Sequence, residues 1–257
     1  MVGFDELNEQ SRNHYGELVA MDRSIGTLRL GLVKMGIEQN TLVWFCSDNG
    51  GLPKIEPTTV GPLRGHKGTI YEGGLRVPAI LEWPAGIPSA RQTDFPASVA
   101  DILPTLLAIT SVPYPDPDRV MDGISLLPVM RQELLRRKQP IFFRHIGRAA
   151  LIDNDWKLLS TDLSKDRFEL YDVVHDRSEQ NNIADEQPQI AQRMRKQLAD
   201  WNESIDASDA GKDYPEGRVN DDEPKPRFWT ELESYQPYFD QWRTRWQYGP
   251  WLKGRGK

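Results

Sequence analysis

Apolar positions at Leu18, Met21, Ile25, Leu28, Leu32 and Met35 recur at steps of three and four, which lines one face of a helix over about residues 13–34. Gly36 follows and suits the left-handed stop of such a helix. From Thr41 to Cys46 the pattern changes to an apolar run of β-branched and aromatic residues without polar alternation, which predicts a central strand covered on both faces. Helix then strand is one unit of a wound sheet. Residues 52–69, broken by prolines and glycines, predict a long loop over the strand ends, and loops of that length are usually functional. A second strand is expected over Val77–Trp83, turning at Pro84-Ala85-Gly86. A helix over about residues 100–109 should bury Ile102, Leu103, Leu106 and Leu107.

Three prolines between Pro113 and Pro117 predict a stiff connection, and the larger domain is expected to end near Arg137. Short strand patterns then follow at 141–143, 149–153, 156–160 and 169–173, separated by polar turns, as in an antiparallel sheet. Residues 189–204 carry Ile190, Met194, Leu198 and Trp201 on one side, a helix able to cover that sheet. The remainder, 206–257, is polar and then aromatic, with Trp229, Trp242, Trp246 and Trp251. These rings either pack over the second domain or stack on sugar rings. No internal repeat is evident.

Composition narrows the function classes. With 38% hydrophobic residues in 257, the chain can bury a core, and a formal net charge of -6 gives no basic footprint for nucleic acid. One cysteine, Cys46, excludes an intrachain disulfide, and its place inside the apolar strand reads as core. No apolar run is long enough to span a membrane. The first residues, Met1–Glu6, lack the basic and apolar parts of a signal peptide.

The chemistry concentrates where the first strand ends. Ligands in open α/β sheets collect beyond the carboxyl ends of strands, so Asp48 and Asn49 would converge there on a hard cation, whereas Asp-Asn-Gly alone would better suit an Asx turn. The following loop delivers Arg64, His66 and Lys67 within Gly61-Pro62-Leu63-Arg64-Gly65-His66-Lys67-Gly68-Thr69-Ile70-Tyr71-Glu72-Gly73-Gly74-Leu75-Arg76-Val77-Pro78.

Ser47–Gly50 with Leu63–Pro78 resembles the second half of a type I sulfatase, the arylsulfatase-like branch of the alkaline-phosphatase superfamily. Asp101–Leu107, Asp122–Pro128, Trp156–Leu158, Glu169–Val173 and Glu179–Ala184 continue the resemblance in family order over about residues 13–205. It implies an α/β fold: residues 1–137 form part of an alkaline-phosphatase-like wound sheet with helices. Residues 138–205 form a small α+β domain with an antiparallel sheet and covering helix, and 206–257 an extension. It also implies Asp48 and Asn49 as ligands of Ca²⁺, or Mg²⁺ in some members, and Lys67 as the catalytic lysine that contacts the sulfate. Arg64 either meets the substrate anion or anchors its loop, His66 lines the pocket, and Glu72 and Arg76 form an internal ion pair. His14, His145 and His175 show no metal spacing.

The family's nucleophile is a formylglycine made from a Cys/Ser-x-Pro-x-Arg motif, which this chain lacks, so the chain is expected to be a C-terminal portion, inactive alone. The implied activity of the intact enzyme is hydrolysis of sulfate esters, on a sulfated small molecule or glycan. The rival expectations are a non-catalytic fragment or interaction module that retains the fold, and a phosphoryl-transfer relative. A periplasmic, extracellular or lysosome-like location is implied by the family alone.

Overall fold

The computed structural model describes residues 6–114, 120–132, 134–213 and 228–253, so most of the expected Pro113–Pro117 connection lies outside the described residues. Its contacts divide it into two units, Met1–Ser204 and Ile205–Lys257. In the first, helix α1 (Glu9–Met35) starts ahead of the periodic stripe because the Asn8 side chain accepts a hydrogen bond from Ser11 N at 2.8 Å. Gly36, at φ 68°, ends it by returning its N–H to Val33 O at 3.0 Å, while Ile37 N–H reaches Leu32 O at 3.2 Å. The stripe itself lies largely uncovered, with Leu28 52% and Met35 71% exposed.

Strand β1 (Val43–Cys46) pairs antiparallel with β2 (Ala79–Glu82), Val43 facing Glu82 and Cys46 facing Ala79. The expectation of cover on both faces is corrected here: all four β1 residues are half-buried, since β2 is the only strand beside it among the described residues. A one-turn helix, α2 (Glu72–Leu75), precedes β2. Helix α3 (Ile102–Thr110) also departs from its expected burial, because Leu103 and Leu106 are exposed and only Thr105 is fully enclosed. Thr105 earns that place by hydrogen bonding, donating to Asp101 O at 2.6 Å and accepting from Leu126 N at 2.8 Å just before α4 (Leu127–Arg131). Asp101, fully buried, takes a bidentate contact from Arg137 with both bonds at 2.7 Å, and also accepts from Ser98 N and Ile124 N.

The second sheet is an antiparallel meander in the order β3 (Ile141–His145), β4 (Arg148–Asp153), β5 (Trp156–Ser160) and β6 (Glu169–Asp172). Side chains alternate between its faces. Leu151, Leu158 and Leu170 pack with Ala191, Met194 and Leu198 of α5 (Pro188–Asp209). Ala150, Leu159 and Tyr171 pack with Ile70, Tyr71 and Leu75. The segment preceding β2 is therefore a cover for this sheet, and that contact places the candidate site.

In the second unit, α6 (Phe239–Trp242) and α7 (Gly249–Leu252) enclose an aromatic cluster. Trp229, Phe239, Trp242 and Tyr248 meet with ring centroids 5.3 to 6.4 Å apart. Trp229 and Trp242, both half-buried, thus pack against neighbouring rings, whereas Trp246 is 82% exposed.

Candidate functional site

Two loops meet backbone to backbone at the end of β1. Gly50 N–H donates to Gly74 O at 2.9 Å, and Lys67 N–H donates to Gly51 O at 2.9 Å. Glycine is required for this approach: a Cβ on Gly50 would strike the carbonyl of Gly73, and one on Gly73 would strike the carbonyls of Arg64 and Gly65. The segments bearing Asp48–Asn49 and Lys67 are thereby brought together.

Asp48 is exposed and its carboxylate has no hydrogen-bond or ion-pair partner among the described residues; the same holds for the Lys67 ammonium. Asn49 is half-buried and spends its amide nitrogen on Gly50 O at 3.0 Å, which leaves Oδ1 open. Two oxygen donors that lack internal partners suit a hard cation. No cluster of three or more His, Cys, Asp and Glu side chains able to hold a metal occurs among the described residues. His66, exposed, sets its ring Nδ1 2.9 Å from Lys67 O, and Thr69 Oγ1 links to both the nitrogen and the oxygen of His66.

Arg64 points elsewhere. It donates to Tyr171 Oη and to Glu179 O, both at 3.0 Å, lies 3.6 Å from Glu169, and stacks over Tyr71 at 3.9 Å. Burial, together with the Glu169 carboxylate to which it donates at 2.6 Å, pushes the Tyr171 phenol well above the usual tyrosine range. Tyr171 thus remains a donor at any physiological pH.

Beneath this layer lies a buried ionic group. Lys157 Nζ donates to Glu72 Oε1 at 2.9 Å and stands 2.8 Å from Glu179 Oε1, an ion-pair contact outside hydrogen-bond geometry. Glu179 Oε2 accepts from Glu72 N at 2.7 Å, and Arg76 reaches Glu72 at 3.2 Å, the internal pair expected from the sequence. Sequence reasoning passed over Lys157 and Glu179. For Lys157 the signal was present: in Trp156-Lys157-Leu158-Leu159 the period of two puts Lys157 on the face of Leu159, toward α2. Glu179 gave none, because it sits in a polar turn at φ 52° that nothing marks as buried.

Comparison with known proteins shows the family of the chain. Residues 66–204 match the family described as N-sulphoglucosamine sulphohydrolase, C-terminal, and residues 2–112 match the family described as Sulfatase. The chain belongs to the sulfatase family and corresponds to its C-terminal portion, with the α/β fold of its solved members. It is 35% identical to a sulfatase of Formosa agariphila over 65% of this chain and 34% of that protein. It is 38% identical to the N-acetylgalactosamine-6-sulfatase of Canis lupus familiaris over 53% and 27%. The crystal structure of Ps i-CgsB in complex with k-i-k-neocarrahexaose superposes with a TM-score of 0.67 at 28% identity, covering 76% of this chain and 43% of that one. The chain therefore spans about a quarter to a third of these curated relatives. No helix among the described residues is long and apolar enough to cross a membrane.

Proposed function

We propose that this chain supplies the metal-ligating and sulfate-contacting side of a sulfate ester hydrolase. The observation that carries the reading is the joining of two loops through Gly50–Gly74 and Lys67–Gly51, which sets on adjoining backbone a carboxylate and an ammonium without partners among the described residues. Asp48 and Asn49 are assigned as ligands of Ca²⁺, with Mg²⁺ as the alternative, and would contribute two of the six or more oxygens such an ion takes. When bound, the cation would supply positive charge against the sulfate oxygens.

Lys67 is assigned to the transferring group. Its ammonium offsets the negative charge that grows on the sulfate oxygens as the S–O bond breaks, and removing one such donor costs about 10²–10³-fold in kcat. Arg64 is assigned to anchoring, since one guanidinium nitrogen donates to both Tyr171 Oη and Glu179 O, and His66 to the pocket rim. The nucleophile lies outside this residue set. A sulfated sugar is the substrate class, supported by relatives named for N-acetylgalactosamine 6-sulfate chemistry and by the carrageenan-oligosaccharide complex.

The test is an NMR titration of the full chain with sodium sulfate, with and without Ca²⁺. Shifts are expected at Lys67 and Gly68, lost in Lys67→Ala, and the Ca²⁺ dependence is expected to vanish in Asp48→Ala. Sulfate shifts that map elsewhere and survive Lys67→Ala would refute the assignment, and a clear preference for phosphate would favour a phosphoryl-transfer relative.

A further inference from the structure

The loop from Arg64 to Gly73 is closed on itself by Gly73 N–H to Arg64 O at 2.7 Å. It carries Lys67 at its exposed crown, where the side chain has no hydrogen-bond or ion-pair partner among the described residues. The crown is held by Lys67 N–H on Gly51 O and by Arg148 on Gly68 O, both at 2.9 Å, and beyond these its position comes from the ends of the loop. Both ends reach the same residue. At the entry, Arg64 donates to the carbonyl of Glu179 at 3.0 Å; at the exit, Glu72 N–H donates to the Glu179 carboxyl at 2.7 Å. Lys157, fully buried on β5, bonds Glu72 and contacts Glu179, tying that exit to the sheet.

We infer that Glu179, backed by Lys157, is a positioning residue for Lys67: a single residue that clasps both ends of the loop and holds its crown against the loop of Asp48. Apolar packing of Ile70, Tyr71 and Leu75 on the sheet would tolerate sliding, whereas hydrogen bonds in a dry interior fix both distance and direction. Buried polar groups are costly as a source of stability, and their best-attested use is to specify one arrangement over its neighbours. The left-handed backbone at Glu179, φ 52°, fits that purpose, because it turns carbonyl and carboxyl toward the two ends of one loop.

The inference rests on the proposed role of Lys67, and the test separates the two. Residue-resolved hydrogen exchange is measured on the full chain as wild type, Glu179→Ala, Glu179→Gln, Arg64→Ala and Leu170→Ala. In Glu179→Ala the amides of Gly50, Lys67, Gly73 and Gly74 should exchange at least tenfold faster, while the ladder amides of β4, β5 and β6 change less than twofold. Sulfate affinity should fall with them. Glu179→Gln, which keeps the acceptor for Glu72 N–H, should restore both. Should Glu179→Ala fail to fold, Arg64→Ala, which removes the bond to the Glu179 carbonyl from outside the sheet, carries the test with faster exchange at the same four amides. Leu170→Ala is the contrast, expected to release the ladder as a whole. Unchanged exchange at the four amides, or acceleration shared equally by the sheet, would overturn the clasp. Sulfate binding that survives Lys67→Ala would overturn the site reading and leave the clasp standing.

Discussion

Replacing Arg137 by Met removes the cation from a pair in which both side chains are at most 1% exposed. What remains is a carboxylate, Asp101, enclosed with two amide donors, Ser98 N and Ile124 N, in place of four. Breaking a buried pair from one side costs about 3–5 kcal/mol, because the stranded charge keeps its desolvation penalty. The two surviving amide bonds argue for the lower end of that range. At about 2–4 °C per kcal/mol for a unit of this size, the midpoint should fall by roughly 6–12 °C for a 3 kcal/mol loss. Thermal unfolding followed by circular dichroism measures the midpoint and urea unfolding the free energy, on wild type, Arg137→Met, Asp101→Asn and the double variant. The double variant should cost clearly less than the two single losses added together, with a coupling of at least about 1 kcal/mol, since neither partner is then stranded. A loss below about 1 kcal/mol for Arg137→Met, or full additivity, would refute this reasoning.

Burial, with the charge of Glu72 adding to it and Lys157 opposing, raises the Glu179 carboxyl above its usual value of 4.5. The folded chain then holds that proton more tightly than the unfolded one, so the associated stability is complete below pH 4.5 and is lost as pH rises through the folded value. Glu179→Gln should accordingly gain stability relative to wild type as pH climbs from 4 toward 8 in urea titrations, and a pH-independent difference would count against it. Gly50→Ala should lose about 1–3 kcal/mol by the same measurement, because its methyl meets the Gly73 carbonyl. Gly16→Ala, with open space within α1, should gain about 0.5–1 kcal/mol. Purified chain with Ca²⁺ and 4-nitrophenyl sulfate should give no multiple turnover; sustained hydrolysis sensitive to Lys67→Ala would place a nucleophile within these residues.

Periodicity carried the element types well, because α1, α5 and the β3–β6 meander each bury or align residues at the period their backbone imposes. It carried burial less well. The apolar run of β1 and the stripe of α1 record faces made for cover, and a pattern of that kind does not say which residues supply it. The start of α1 was misjudged because the cap at Asn8 lies nearly three turns before Leu18, the first stripe residue. At the site, Asp48, Asn49 and Lys67 were visible as motif residues, and the joining of the two segments that carry them rests on glycine-to-backbone contact. Arg64 was left between two roles, since an arginine in a loop reads alike whether it faces an anion or a tyrosine 107 positions further along. Lys157 and Glu179 act through contacts separated by 85 and 107 positions from Glu72, a range at which local pattern is silent.

That separation has a consequence during synthesis. The loop of Lys67 leaves the ribosome with its entry and exit unclasped, and the residue that joins them is made 107 positions after Glu72. At about 5–20 residues per second, the interval is roughly 5–20 s. Through it, neither bond to Glu179 can form, so the order of manufacture lets the loop of Lys67 be clasped only after the whole β3–β6 meander has been made.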